Sequence, residues 1–446
     1  MSHRLPSPIR RGLVASTWEG SFATVFLTLT TGIFLVGYPI QLGASDRWIG
    51  TLAALPFLAQ TVQIATAWVY ERAGKQRRSI TAWTLVASRL LWLVPAGVAL
   101  LHPATHPALT IHLTVTAASA MLATAGGHGW QSWMVDLVPS SVRGRYFGFR
   151  AAVCAVVGVA AAWGGGRVLR GLEGARDGFG WAAVYGMAAL AGVGAWVAMK
   201  AQHHPAPKGH GLGVPFATLW REVWSEPGHR RVFTFFTLWN VGIGIAAPFW
   251  VKFMSVRLGL AEEIVAVQGA MGALLGVAVS RAWGAAIDRV GLKPVVILTS
   301  IATSFIPFFW LAIRPETTWL VWIDAVLVGL FWSGFNLAAL TLPLAMAPAR
   351  GGALFLGIFA ALTGLALGAS CIAGGFLAQA LPDGPHVVLG VSLAREQVVF
   401  LVSGILRFAS VPWAFRLPDA RSKGLRALMT EISAGALRLV GRRPGH

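Results

Sequence analysis

Charge is what this sequence has least of. Only 12% of its 446 residues are charged and 17 are acidic, against 56% hydrophobic residues and a mean hydropathy of +0.65. Soluble domains carry roughly a quarter charged residues, so these values exclude an ordinary globular protein and point to the membrane class. Cysteine is nearly missing too: Cys154 and Cys371 both sit in apolar runs, which excludes a disulfide framework or a zinc site. There is no phosphate loop, zinc pair or nucleophile elbow. No catalytic residue, metal or cofactor is therefore expected, and an ATP-driven pump is disfavoured. The net charge of +19 would suggest nucleic acid in a soluble protein. Here the basic residues are strung between apolar runs and form no stripe, so they read as topology signals, with no nucleic-acid partner.

What the chain does have is long apolar runs. A spanning helix needs about 20 mostly apolar residues, and twelve runs qualify: 17–42, 48–70, 79–101, 108–130, 147–169, 181–200, 231–256, 263–287, 295–313, 318–343, 353–380 and 396–416. The expected fold class is an all-α integral membrane protein. The N-terminus, MSHRLPSPIRRG, is basic like the start of a signal peptide, but the run behind it is of spanning length and is expected to stay as the first helix. Roughly 25 of the 36 Lys and Arg fall on the side of the N-terminus, which places both termini in the cytoplasm. The basic, Gly/Ala/Trp-rich composition hints at a prokaryotic inner membrane.

The longest connection splits the spans six and six. Expected boundaries are 1–200 for a first six-helix bundle, 201–230 for a cytoplasmic linker, 231–416 for a second bundle and 417–446 for a basic tail. In the linker, Phe216, Leu219, Trp220 and Val223 recur at helical spacing, as in a helix lying on the membrane face. His203, His204 and His210 lack a paired carboxylate or cysteine and read as solvated linker. Leu425, Leu428 and Met429 suggest a similar surface helix in the tail.

The two bundles repeat. Gly284, Asp288, Arg289, Gly291 and Lys293 spell G-x-x-x-D-R-x-G-x-K between runs eight and nine, and 217 residues earlier Glu71, Arg72 and Gly74 hold equivalent places. Arg143-Gly144 recurs as Arg350-Gly351, and Gly158, Gly164 and Gly165 recur as Gly368, Gly374 and Gly375. Glycines so spaced let helix backbones approach closely. Two pseudo-symmetric six-helix bundles follow.

Twelve spans, a long central loop and this pair of charged turns resemble the major facilitator superfamily of secondary transporters. The segment DLVPSSVRGRYFG, Asp136 to Gly148, looks like the basic turn after helix 4 in many members. The resemblance covers nearly the whole chain. It implies a lipid-embedded transporter of a small-molecule substrate, with a monomer expected; the coupling ion is left open by the residues, and a coupling proton would need Asp324, His112 or Glu19 as carrier. It also implies a gating role for Glu71, Arg72, Gly74, Asp288, Arg289, Gly291 and Lys293, with Arg143 and Arg350, in a cytoplasmic charge network that holds the halves together when the cavity opens outward. The pattern departs from the family at Ala67, where a glycine is expected, and at Glu71, which replaces aspartate. Gly158-Val159 stands where drug/proton antiporters have Gly-Pro, and Thr110 to Gly129 lacks their arginine, so drug export is less supported than transport in general.

An ionisable residue inside a membrane costs about 2.5–3.5 kcal/mol on insertion scales and needs an explanation. Asp324 lies near the outer end of run ten, above a face of Phe331, Trp332, Phe335 and Asn336; it is either a proton or cation contact or paired with Lys252 or Arg314. Arg89 lies too deep in run three to reach a surface, and either meets an anionic substrate or pairs with a carboxylate. Arg407 draws the same reading, while Glu19 is expected at the interface. Asn240, Gly244 and Pro248 share a face of run seven and suggest a hinge beside a substrate contact. Gln60 and Gln63 share a face, as do His112, Thr116 and Ser119; each set serves a substrate or hydrogen-bonds between helices. Tryptophans are 20 in number, but many fall at span ends, where that residue marks the interface. The expectation is a secondary transporter working by alternating access, with a non-transporting receptor or scaffold of the same fold as the other reading.

Overall fold

The computed structural model describes residues 7–73, 76–101, 104–139, 142–172, 178–203, 215–348, 351–388, 390–418 and 422–430. Among these, twelve helical segments are long and apolar enough to cross a membrane. They are span 1 (Pro8–Gln41), span 2 (Asp46–Thr66), span 3 (Arg77–Leu101), span 4 (Thr105–Gln131), span 5 (Arg145–Leu172) and span 6 (Phe179–Lys200). After the linker come span 7 (Pro227–Arg257), span 8 (Glu262–Val290), span 9 (Leu292–Ala312), span 10 (Leu320–Met346), span 11 (Leu354–Ala380) and span 12 (Arg395–Ala414).

The packing pattern repeats between the halves. Span 1 packs on spans 5 and 6, and span 3 on spans 4 and 6; correspondingly span 7 packs on 11 and 12, and span 9 on 10 and 12. Between the halves, span 2 runs along span 11 and span 5 along span 8. Exchanging the halves turns one of these contacts into the other, as a two-fold relation requires.

The glycines explain how the inter-half contacts become so close. A Cβ added at Gly375 would lie 2.8 Å from the Asp46 carbonyl oxygen, and one added at Gly50 would lie 2.6 Å from that of Cys371. Gly364 and Gly368 face Phe57, Gln60 and Leu58 in the same seam, and Gly166 of span 5 sits against Glu263 of span 8. Only a residue without a side chain allows backbones this near.

Spans 1 and 7, equivalent in the repeat, are both broken at mid-length. Span 1 is helical over Ser7–Thr28 and Ile33–Gln41, with a turn between them that Gly32 closes at φ 57. In span 7 the helix Pro227–Gly244 stops, residues 245–248 form turns, and the chain resumes as Phe249–Lys252 and a π-turn Phe253–Arg257. Pro248 has no N–H to give to the Gly244 carbonyl, which instead accepts from Ala247 at 3.2 Å. The break falls where Gly244 and Pro248 placed a hinge.

The linker helix Phe216–Ser225 buries Leu219 and Val223 against Phe233, Phe355 and Ile358. Phe216, Trp220 and Trp224 stay exposed on its other side. Between spans 11 and 12 lies a short antiparallel hairpin, β1 (His386–Val388) and β2 (Val391–Leu393), that pairs Val387 with Ser392. In the tail, residues 425–430 are helical and Leu428 is buried beside Val290 and Leu417. The Lys423 amide donates to the Val290 carbonyl at 3.0 Å, so the tail begins docked on the turn between spans 8 and 9.

Candidate substrate cavity and gates

The ends of the spans opposite the two termini, here the far side, are closed by ion pairs that cross between the halves. Asp46, at the start of span 2, is buried and its Oδ1 accepts from Lys252 of span 7, while Arg395 Nη1 of span 12 lies 3.3 Å from its Oδ2. Lys252 also lies 4.0 Å from Glu396, whose other oxygen pairs with Arg257 at 3.1 Å. Asp383 completes the group with Arg257 at 3.6 Å and Arg395 at 3.1 Å. Three acids thus meet three bases, so the cluster balances its charge while its buried members lose water. Two further links cross the same side: Arg170 with Glu263 at 2.6 Å, and Arg47 Nε donating to Gln379 at 2.8 Å.

The side of the termini is arranged differently. Arg77 pairs with Asp136 at 2.9 Å, but both belong to the first half. Gly291 adopts φ 95 between spans 8 and 9, which only glycine does without strain, so the tight charged turn is as its sequence requires. Asp288 is exposed and makes no ion pair among the described residues. Gly74 and Arg350 lie outside the described residues, as do the side chains of Glu71, Arg72 and Arg143.

Three cavities lie next to one another around span 1. One of about 640 Å³ lies between the halves, bounded by spans 1 and 5 on one side and 7 and 8 on the other; Thr31, Gly32, Cys154, Trp250 and Gln268 line it. Both helix breaks border it, through Gly32 and Trp250. A second, of about 320 Å³, carries Gln60, Gln63, Thr116, Ser119, His128 and Gln131. A third, of about 290 Å³, is lined by Glu19, Arg89, Arg150 and Trp130. Thr24 is shared by the first and third, Thr31 by the first and second, and Phe26 and Leu27 by the second and third.

The third cavity corrects the reading of Glu19. It is 3% exposed, not interfacial: Arg150 Nη2 donates to its Oε2 at 3.0 Å and Arg89 Nη2 lies 3.6 Å from its Oε1. The helix starts at Ser7, so Glu19 is three turns inside it; placing the span start at residue 17 had left it at the surface. Arg89 therefore does have a carboxylate partner, and it also faces the cavity. Arg150, one of the basic residues near a span end that read from sequence as topology signals, turns inward, its Nε donating to the Ser16 carbonyl at 3.1 Å and its guanidinium 4.7 Å from the Trp130 ring centre.

Asp324 is 4% exposed, and neither Lys252 nor Arg314 is its partner. Trp310 Nε1 donates to one oxygen at 2.8 Å and Gln268 Nε2 to the other at 2.9 Å. Gln268 lines the large cavity, so Asp324 stands one residue behind that wall. Arg407 is buried, donating from Nη1 to the Thr303 carbonyl at 3.2 Å. Lys252 is taken by Asp46 instead.

The remaining predicted residues divide. Gln60 and Gln63 line the second cavity and bond to each other. Thr116 and Ser119 line it too, but His112 is enclosed by Tyr38, Trp92 and Tyr185, with Nε2 at 3.1 Å from the Leu35 carbonyl. Asn240 turns back on the Phe236 carbonyl at 2.7 Å. Trp332 packs among Trp239, Phe335 and Arg407, and Asn336 is exposed; neither lines these three cavities.

Two pseudo-symmetric six-helix halves, a cavity between them and ion pairs closing one end define a membrane transporter of the alternating-access type. The sequence matches the family profile described as the Major Facilitator Superfamily over residues 20–350, and the chain belongs to that family. It is accordingly a multi-pass membrane protein and a secondary active transporter of a small solute; the receptor or scaffold reading is not favoured. Solved structures share the fold. A D-xylose-proton symporter aligns with TM-score 0.67 at 13% identity, covering 94% of this chain and 100% of its own. The nucleoside transporter NupG, in a point-mutant form, aligns at 0.61 and 14% over 95% and 98%. A bacterial homolog of the human lysosomal transporter Spinster, in an inward-facing and unoccupied conformation, aligns at 0.60 and 17% over 99% and 100%. Comparison with curated proteins finds no match.

Proposed function

We propose that this chain carries a small organic solute across a prokaryotic cytoplasmic membrane as a monomer embedded in lipid, with both termini in the cytoplasm. The two bundles, 1–200 and 231–416, rock about the seam formed by spans 2 and 11 and spans 5 and 8. The linker, 201–230, holds the second bundle to the membrane face through Phe216, Trp220 and Trp224, and the tail, 417–446, is basic. The observation that carries this reading is the inter-half ion cluster on the far side, set against an exposed Asp288 on the side of the termini. With cytoplasmic termini, that asymmetry corresponds to an inward-facing state.

We assign the charged turns at Glu71 to Gly74 and Asp288 to Lys293, with Arg143 and Arg350, to the gate on the side of the termini. The broken helices of spans 1 and 7 supply the local give, because turns without continuous i to i−4 bonding can bend where a regular helix cannot. The substrate occupies the neighbouring second and third cavities, touching Gln60, Gln63 and Arg89. Glu19 is the coupling carboxylate: among the described residues it is the only acid lining these three cavities, whereas Asp324 reaches the wall through Gln268.

Reconstituted vesicles containing an entrapped pH dye test this. A panel of amino acids, sugars, carboxylates, nucleosides and amphiphilic cations is added outside. One class should drive proton movement in the wild type, while the Glu19→Gln variant still exchanges labelled solute across the membrane without it. Solute exchange with no proton movement in the wild type would remove the proton from the account and leave transport standing.

A further inference from the structure

Two guanidinium groups face one carboxylate in the third cavity, and that imbalance is written into the packing. Glu19 is bound by Arg150 at 3.0 Å and Arg89 at 3.6 Å, so one acid serves two bases and the cluster carries one surplus positive charge inside a span-lined wall. Buried charge is tolerated where it is compensated, and an isolated cation within the membrane is costly. The compensation is incomplete in atomic detail as well. Arg89 is 5% exposed, yet its Nη1 is buried with no hydrogen-bond partner among the described residues. Phe26, with its ring centre 5.9 Å from the Arg89 guanidinium carbon, offers only a π-face.

The surrounding space says what kind of group would complete it. The cavity of about 290 Å³ shares lining residues with the other two, and apart from the ionic cluster its lining is mainly Phe26, Leu27, Leu85 and Trp130 with small residues between. At about 30 Å³ for each water it holds roughly ten heavy atoms. An arginine pair matches the two oxygens of a carboxylate by geometry, and its fork of donors binds such a group more strongly than a neutral acceptor. A second negative charge would find only Glu19 opposite it. A purely structural ion triad would be fully paired and walled off from any cavity, whereas this one leaves Arg89 Nη1 unpaired and lines a cavity with all three of its members.

We propose that Arg89 and Arg150 form an anion-binding subsite, and that the solute carried by this transporter is a small organic monoanion with an apolar body. The inference rests on the transport reading above and narrows its substrate class. In the empty state Glu19 occupies part of the subsite, acting as an internal competitor. The anion enters beside it, takes the free Nη1 of Arg89 and shares Arg150, while the ring or chain of the solute rests on Phe26 and Trp130.

The test uses the full-length protein in detergent, with benzoate as probe and benzamide as its uncharged isostere. Thermal stabilisation and a binding isotherm are read for wild type, Arg150→Gln, Arg89→Gln and Glu19→Gln. Benzoate should bind at least tenfold more tightly than benzamide, and either arginine variant should lose at least tenfold for benzoate alone. Glu19→Gln should bind benzoate more tightly than wild type, since the competitor is gone; misfolding cannot produce that gain, so the result stands even if an arginine variant fails to fold. Equal binding of the two probes, no benzoate binding to folded wild type at millimolar concentration, or weaker benzoate binding in Glu19→Gln each overturns the subsite. A neutral solute that is exchanged across vesicles equally well by wild type and Arg150→Gln would also overturn it, while leaving the transport reading intact.

Discussion

Gly375→Ala should push the transporter away from the state seen here. Gly375 lies on the face of span 11 that meets the other half, and an added Cβ would sit 2.8 Å from the Asp46 carbonyl and 3.2 Å from the Arg47 and Gly50 Cα atoms. All three neighbours are backbone, which cannot swing aside as a side-chain tip could. Overpacking of this kind costs about 1–3 kcal/mol. Helix propensity works the other way, since alanine favours a helix over glycine by about 1 kcal/mol in any conformation. The clash exists only when the far side is closed, so a penalty of about 2 kcal/mol moves the open-to-closed ratio about thirtyfold. Spin labels at Thr105→Cys and Val387→Cys, both exposed far-side positions on opposite halves, in a Cys154→Ser, Cys371→Ala background, report the separation. The distance distribution should shift to longer values, and Gly50→Ala should do the same. An unchanged distribution in folded Gly375→Ala protein would refute the claim that this seam sets closure.

Lys252→Met leaves Asp46 and Glu396 buried without their shared base; removing one partner of a buried pair costs roughly 3–5 kcal/mol. Its melting temperature should fall, and the same label pair should separate. Asp288→Asn should leave the melting temperature of the present state unchanged, because Asp288 is exposed and has no ion pair among the described residues, yet slow transport by impairing the opposite state; a normal transport rate would count against the latch. Gln268→Leu removes one of two hydrogen bonds to Asp324, costing about 1–3 kcal/mol in stability because it leaves a buried acceptor atom unsatisfied. Asp324→Asn, which keeps an acceptor for Trp310, should be milder, and a reversed order measured by thermal unfolding would show that Asp324 matters for more than packing.

The parts of this structure that were legible in the sequence are those that leave a periodic or local trace. Spanning runs, the charged turn between spans 8 and 9, the Gly244 and Pro248 break and the Phe216 helix all do so. Of the repeated glycines, Gly165, Gly368, Gly374 and Gly375 do sit where a Cβ would clash, whereas Gly158 is in ordinary contact and Gly164 meets nothing within 4 Å; the sequence did not show which partner each would meet. What stayed hidden depends on contacts between distant residues or on where a helix begins. Asp46 and Lys252 are 206 residues apart, and nothing near either one names the other. Glu19 looked interfacial because the first apolar run begins at residue 17, whereas the helix is already formed from Ser7, and long basic side chains in the first turns of a helix can reach the surface while the helix continues inward. Arg150 was hidden for the same reason, since a basic residue near a span end resembles a topology signal. The turn closed by Gly32 left no clear mark, because LTTGIF reads as ordinary apolar helix.

The large inter-half cavity contains its own reporter. Cys154 lines it, and Cys371, the other cysteine, is buried. Labelling of Cys154 by a membrane-impermeant maleimide, measured from each side of sealed vesicles in a Cys371→Ala background, tests alternating access most directly. The account predicts rapid labelling from the side of the termini in wild type, with labelling from the far side rising at least tenfold when Gly375→Ala or Lys252→Met is introduced. Labelling from the far side that is unaffected by either change, or labelling from neither side, would contradict it.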